Sequence, residues 1–163
     1  MNSKFSIVRK FNASMEAVFQ SFSSANALAK WWGPVEAPIE MISFDCKVGG
    51  VFHYKMNGEQ VSYGVFKYVE IEAPYTIAWI NSFANEHGEI IKPPFEGMDI
   101  PREILNKVSL EEQDGVTTLT LLSEPINASE AEKETFIAIK ESMEQGYGGT
   151  FGQLENYLNQ TLH

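Results

Sequence analysis

The sequence predicts an α+β domain, in which an antiparallel sheet packs against helices that lie on one of its faces. Two observations lead to this prediction. Apolar and polar residues alternate through most of 39–122, and tight-turn sequences interrupt the alternation, which is typical of strands joined by hairpins. The C-terminal segment instead carries apolar residues at helical spacing, where Tyr147, Phe151, Leu154 and Leu158 form one stripe that can face the sheet.

The chain before residue 39 predicts one strand followed by two short helices. Alternation over 5–11 is typical of a strand. Ser14 is a favourable N-cap for a first helix, and the pair Ser23-Ser24 starts a second helix, because a serine side chain can accept a hydrogen bond from a free backbone N–H. Gly33-Pro34 is expected to end the second helix, since glycine forms the C-terminal turn and proline cannot continue the helix.

Six further strands are predicted, over 39–44, 51–56, 61–71, 75–83, 103–111 and 116–122. Asn57-Gly58 and Asp114-Gly115 are typical of tight hairpin turns. We therefore expect a sheet of about six to seven strands, followed by a long C-terminal helix. Because no linker or internal repeat divides the sequence, residues 1–163 are predicted to form a single domain.

Composition and charge exclude several kinds of partner. The formal net charge is −10, which would repel nucleic-acid phosphates and anionic lipid. No run approaches the roughly 20 apolar residues of a membrane-spanning helix. The sequence has a single cysteine, Cys46, and its N-terminus shows no secretory signal, so we expect a cytoplasmic protein that binds neither nucleic acid nor membranes.

Several motifs, taken in order, resemble a known superfamily. They are Phe11-x-Ala13-Ser14-x-x-x-Val18-Phe19, Leu28-x-x-Trp31-Trp32-Gly33-Pro34, Gly49-Gly50-x-Phe52-x-Tyr54-x-Met56, Gly64-x-Phe66, Ile71-x-x-Pro74, Trp79-x-x-x-Phe83, and Gly146-Tyr147 leading into Leu154-x-x-Tyr157-Leu158. This ordered set resembles the START/Bet v 1-like (SRPBCC) superfamily, in the branch related to the activator of heat-shock-protein-90 ATPase (the AHSA type). The resemblance implies the helix-grip fold, in which a strongly curved sheet wraps the last helix and encloses a cavity.

A cavity of that kind would be lined by aromatic side chains and by the glycine-rich part of the last helix. Glycines 146, 148, 149 and 152 lower helix propensity by about 1 kcal/mol each relative to alanine. The segment therefore packs closely on the sheet, leaves space beside it, or breaks or kinks at 146–149. The candidate ligand-binding residues are Trp32, Phe44, His53, Phe66, Trp79, Phe83, Met143, Tyr147 and Phe151.

No catalytic or metal-binding pattern is recognisable in the sequence. Cys46 and His53 do not have the spacing of a metal site or of a thiol nucleophile, and His87 and His163 lie far from both. We expect no metal and no cofactor. The proline-containing connection 86–101 has no periodicity, and it is interpreted as a lid over one end of the cavity or as a disordered surface loop.

Three functions stay open at this point. The first is a binding protein for an apolar or aromatic small molecule. The second is a chaperone cofactor, although the chain is too short to include the separate N-terminal chaperone-binding domain of the activators that it resembles. The third is an enzyme, such as a cyclase or hydrolase, which would need two polar groups that converge on one pocket. A homodimer is also possible.

Overall fold

One antiparallel sheet of seven strands organises the part of the chain that the computed structural model describes, residues 3–33 and 36–161. The strands are Phe5–Phe11 (β1), Ile39–Phe44 (β2), Val51–Asn57 (β3), Val61–Glu72 (β4), Thr76–Ala84 (β5), Ile104–Gln113 (β6) and Val116–Pro125 (β7). Their spatial order is β1-β7-β6-β5-β4-β3-β2, and every neighbouring pair is antiparallel. The predicted α+β fold is confirmed.

Four helices accompany the sheet within the described residues: Met15–Ser23 (α1), Ala25–Trp31 (α2), Glu130–Ala138 (α3) and Lys140–Thr161 (α4). The two short helices begin where they were predicted, because the side chains of Ser14 and Ser24 each accept a hydrogen bond from a backbone N–H in the first turn. None of the described helices is long and apolar enough to cross a membrane.

The C-terminal helical segment differs from the prediction in where it is interrupted. Ile139 separates α3 from α4, since its φ of −97° and ψ of 4° depart from helical values. The predicted alternative of a break at 146–149 is wrong, because α4 runs without interruption from Lys140 to Thr161. Tertiary packing compensates for the low helix propensity of the glycines: Phe151, Leu154 and Leu158 are buried.

Two of the predicted turns have different outcomes. Asp114 and Gly115 connect β6 to β7 with φ angles of 54° and 79°, which is the positive-φ pair that a two-residue hairpin turn requires. The hairpin predicted at Asn57-Gly58 is confirmed, since Asn57 pairs with Val61, but its connection contains three residues, 58–60, instead of two. Gly33 has a φ of +96° just beyond the end of α2, and Pro34 lies outside the described residues.

An aromatic core fills one part of the space between the sheet and the helices. Phe66 lies at its centre, with its ring stacked on Trp79 at a centroid distance of 4.8 Å. The edges of neighbouring rings pack against Phe66 at 4.9 Å for Trp32 and 5.2 Å for Phe52. Aromatic pairs in these arrangements add to the stabilisation that comes from burial alone. The remaining part of the interior, between the sheet and α4, contains a cavity.

Candidate ligand cavity

A cavity of about 470 Å³ lies between the inner face of the sheet and the first half of α4. Strands β3 to β7 contribute one wall, α4 contributes the opposite wall, and residues 32–33 after α2 contribute a third. Residues 100–102, at the end of the long connection between β5 and β6, and Glu36 complete the lining. The volume is in the range of small-molecule sites, which is about 300–1,000 Å³.

One face of α4 is turned toward the cavity. Met143, Gly146, Tyr147 and Thr150 all line it, and their spacings of three, four and seven residues from Met143 place them on the same side of a helix. A Cβ atom built on Gly146 meets no other heavy atom within 4 Å. The glycine therefore leaves space on the wall, as the second of the sequence-based alternatives proposed.

Hydrogen bonds from α4 hold the wall that follows α2. The Gln153 side-chain amide donates to the carbonyl oxygens of Trp31 at 3.1 Å and Gly33 at 2.9 Å, and the Thr150 hydroxyl donates to the Gly33 carbonyl at 3.1 Å. These bonds satisfy carbonyl groups at the end of a helix, which otherwise lack partners. Trp32 is thereby fixed between the core and the cavity.

The deep end of the cavity contains polar side chains that are buried. Asn106 on β6 is 0% exposed and Ser123 on β7 is 1% exposed, and the two residues are directly opposite each other across the strands. The Tyr147 hydroxyl donates to Asn106 Oδ1 at 3.1 Å. Among the described residues, neither Asn106 Nδ2 nor Ser123 Oγ has a hydrogen-bond partner.

A second polar pair lies on the wall formed by β3 and β5. Asn81 Nδ2 donates to the Tyr54 hydroxyl at 3.3 Å and to the Val65 carbonyl at 3.2 Å. Tyr54 is opposite Gly64 on β4, where a Cβ atom would collide with the Tyr54 ring. Glycine at position 64 is therefore what allows this tyrosine to lie flat against the sheet.

Burial raises the pKa of both cavity tyrosines, Tyr54 and Tyr147, above the usual value of 10.0. The folded chain thus retains phenol protons that the unfolded chain releases above pH 10. The contribution of these tyrosines to the free energy of unfolding is therefore expected to be complete below pH 10. Above pH 10, the free energy of unfolding should fall by about 1.4 kcal/mol per pH unit for each tyrosine. Urea denaturation between pH 9 and 11 should show a shallower loss for Tyr147→Phe, and an unchanged slope would contradict the prediction.

The structure divides the candidate ligand-binding residues into two groups. Trp32, Phe83, Met143 and Tyr147 line the cavity. The core contains Phe66, Trp79 and Phe151, which are buried, and Phe44, which is partly buried against it; none of these four is among the lining residues. His53 is not on the wall either: its Nε2 lies 3.0 Å from the Asn85 carbonyl oxygen, and its ring packs near Tyr63.

Sequence reasoning missed the polar residues at the deep end. Asn106 has the same strand parity as Val108 and Leu110, and Ser123 has the same parity as Leu119 and Leu121, so alternation places both side chains on the inner face of the sheet. A polar residue on the apolar side of a strand was the available signal.

The connection 86–101 is partly tied to the sheet and partly on the cavity wall. Ile90 forms a bridge with Ala84, and the Phe95 ring packs edge-on against Phe83 at 5.8 Å. Ile100 and Pro101 line the cavity beside Arg102. The far end of this connection therefore forms part of the enclosure, as a lid would.

Within residues 3–33 and 36–161, no group of three histidine, cysteine, aspartate or glutamate side chains could hold a metal ion. Burial raises the pKa of the Cys46 thiol, which disfavours the reactive thiolate. His163, one of the three histidines in the sequence, lies outside the described residues.

A family model described as "Activator of Hsp90 ATPase homolog 1-like protein" matches residues 12–159. The chain belongs to this family. The match confirms the resemblance on which the AHSA-type branch of the START/Bet v 1-like superfamily was recognised. A search of curated proteins finds no significant match to this chain.

Solved structures share its fold over nearly the whole chain. A solution NMR structure of a protein from Staphylococcus epidermidis is 27% identical, with a TM-score of 0.79, and the match covers 100% of this chain and 93% of that one. Another, from Arthrobacter aurescens, is 26% identical with a TM-score of 0.80 and coverage of 98% and 90%. A crystal structure of the AHSA1 protein from Silicibacter pomeroyi, at 18% identity and a TM-score of 0.69 with coverage of 97% and 99%, is similar in fold alone.

Proposed function

We propose that this chain binds an apolar or aromatic small molecule in the cavity between the sheet and α4. The observation that supports this proposal most is the cavity of about 470 Å³, which has aromatic rings on three sides, from Trp32, Tyr147 and Phe83. Enclosing an apolar ligand there would be driven by burial at about 25 cal/mol per Å² of apolar surface.

Saturable binding of a neutral fluorescent probe tests this proposal. We expect N-phenyl-1-naphthylamine to show increased emission on addition to the folded protein, and the titration to saturate at about one probe per chain, because one such cavity accepts one ligand of this size. The fluorescence of Trp32 should change in the same titration, since its ring forms part of the wall. Emission that rises linearly without saturating, together with unchanged tryptophan fluorescence, would overturn the proposal.

The chemistry of the described wall favours binding over catalysis. The polar groups at its deep end are an amide, a serine hydroxyl and a phenol, from Asn106, Ser123 and Tyr147. Such groups orient a ligand by hydrogen bonds, whereas proton transfer at neutral pH requires a group whose pKa lies near 7. The raised pKa of Tyr147 moves that phenol further from this range.

A second candidate function is stimulation of a chaperone ATPase, which the family description favours. Purified protein added to the Hsp90-type chaperone of the same organism would raise its rate of ATP hydrolysis if this function holds. An unchanged rate, together with no co-elution of the two proteins, would exclude it. Either function is consistent with a cytoplasmic location, which we propose because a sequence with the single cysteine Cys46 forms no internal disulfide and fits a reducing compartment.

A further inference from the structure

The deep end of the cavity contains hydrogen-bond donors without acceptors. Asn106 Nδ2 and Ser123 Oγ have no partner among the described residues, although both side chains are almost completely buried. Buried polar groups in proteins are nearly always hydrogen-bonded, because leaving one unpaired costs about 1–3 kcal/mol. An unpaired donor on a cavity wall therefore indicates that the missing partner is a molecule in the cavity.

The orientation of the Asn106 amide determines what kind of partner is missing. Tyr147 donates its hydroxyl proton to Asn106 Oδ1 at 3.1 Å, so the oxygen of the amide already has a partner. The free side of the amide is Nδ2, which can only donate. Asn106 and Ser123, which are neighbours across β6 and β7, thus supply unused donors on the cavity wall, since a serine hydroxyl can donate as well.

The charges on the described wall belong to exposed residues, whereas Asn106 and Ser123 are buried. Glu36 and Arg102 are the charged residues among the described lining, and both are exposed. Among the described residues, no lysine, arginine or histidine lines the deep end, so an anionic group there would lose its water without gaining a cation. The raised pKa of Tyr147 has the same cause, since burial disfavours the charged form of a group at this place.

We propose that the cavity selects an uncharged ligand that has an apolar body and a hydrogen-bond acceptor, such as a carbonyl oxygen, bound by Asn106 Nδ2 and Ser123 Oγ. This inference rests on the proposed binding function, and it names the chemical class of the ligand. The apolar body occupies the space between Trp32 and Phe83, and the acceptor points to the β6–β7 pair.

Three naphthalenes of nearly equal shape test the inference: 2-acetylnaphthalene, 2-isopropylnaphthalene and 2-naphthoate. The ketone has a neutral hydrogen-bond acceptor, the isopropyl compound has no acceptor, and the naphthoate has an anionic acceptor. The dissociation constant of each is measured by displacement of N-phenyl-1-naphthylamine from the wild type, from Asn106→Leu, from Ser123→Ala and from the control Ser109→Ala. Ser109 lies between the buried Val108 and Leu110 on β6, so its side chain faces the opposite side of the sheet.

We expect the ratio of ketone to hydrocarbon dissociation constants to rise about tenfold in Asn106→Leu and several-fold in Ser123→Ala, and to stay at the wild-type value in Ser109→Ala. The naphthoate should bind at least about tenfold more weakly than the ketone. If Asn106→Leu does not fold, as checked by circular dichroism, the Ser123→Ala ratio alone decides.

The outcomes separate this inference from the function on which it rests. If the ratio of the ketone and hydrocarbon dissociation constants is the same in the wild type and in all variants, the inference is overturned and the binding function stands. The same holds if the naphthoate binds as tightly as the ketone. If no naphthalene and no probe binds the folded wild type, the binding function itself is overturned.

Discussion

Replacing Phe66 by alanine is expected to lower the free energy of unfolding by about 3–5 kcal/mol, as is usual when a fully buried aromatic ring is removed. Phe66 is 1% exposed, and its ring contacts Trp32, Phe52 and Trp79 at centroid distances of 4.9, 5.2 and 4.8 Å. These rings lie on β3, on β5 and just after α2, so they cannot all move together to fill the space. Urea denaturation followed by circular dichroism measures the loss.

Phe95→Ala is the matched control for this change. The Phe95 side chain is 45% exposed and has one aromatic neighbour, Phe83, at 5.8 Å. Its removal should cost about 1 kcal/mol, the size of an isolated aromatic contact. Equal losses in the two variants would show that Phe66 is not at the centre of the aromatic core.

The fold could be predicted from the sequence because its signals are local and mutually consistent. Each strand has an alternating pattern. Ser14 and Ser24 mark the helix starts, because their side chains accept the hydrogen bonds that an N-cap must accept. The Asp114-Gly115 pair marks a turn, because both residues tolerate the positive φ angles that it requires. The interruption at Ile139 could not be predicted, since no proline or glycine marks it. Alternation also does not fix where a turn begins within a few residues, so the hairpin at Asn57-Gly58 could be predicted but its three-residue connection, 58–60, could not.

The cavity was harder to predict, because the type of a residue does not determine whether its inward-facing side chain packs against other side chains or lines an open space. Trp32 and Trp79 are both buried tryptophans, yet only Trp32 is among the lining residues. What separates them is the course of the chain after α2 and the face that α4 presents, and both depend on long-range packing. The polar residues Asn106 and Ser123 were accessible to sequence reasoning, since an inward parity is visible in the strand pattern.

The position of the cavity relative to α4 makes a substitution at Gly146 the sharpest test of the proposed site. Gly146 lies between Met143 and Thr150 on the face of α4 that lines the cavity, and a Cβ atom at this position meets no neighbour within 4 Å. The ring of a phenylalanine at 146 would therefore extend along this face into the space that a ligand needs. We expect Gly146→Phe to lower the affinity for N-phenyl-1-naphthylamine by at least about tenfold, since a filled site excludes a ligand of similar size.

Gly152→Phe is the matched control, because position 152 is in the same helix, also has an open Cβ direction, and is not among the cavity-lining residues. Both changes replace a helical glycine by a residue with higher helix propensity, so neither is expected to lower the free energy of unfolding through the helix itself. Affinity should fall in Gly146→Phe and stay near the wild-type value in Gly152→Phe. Tight probe binding by Gly146→Phe would place the probe somewhere other than this cavity, whereas a loss in both variants would show that the helix as a whole, rather than the open space at Gly146, controls binding.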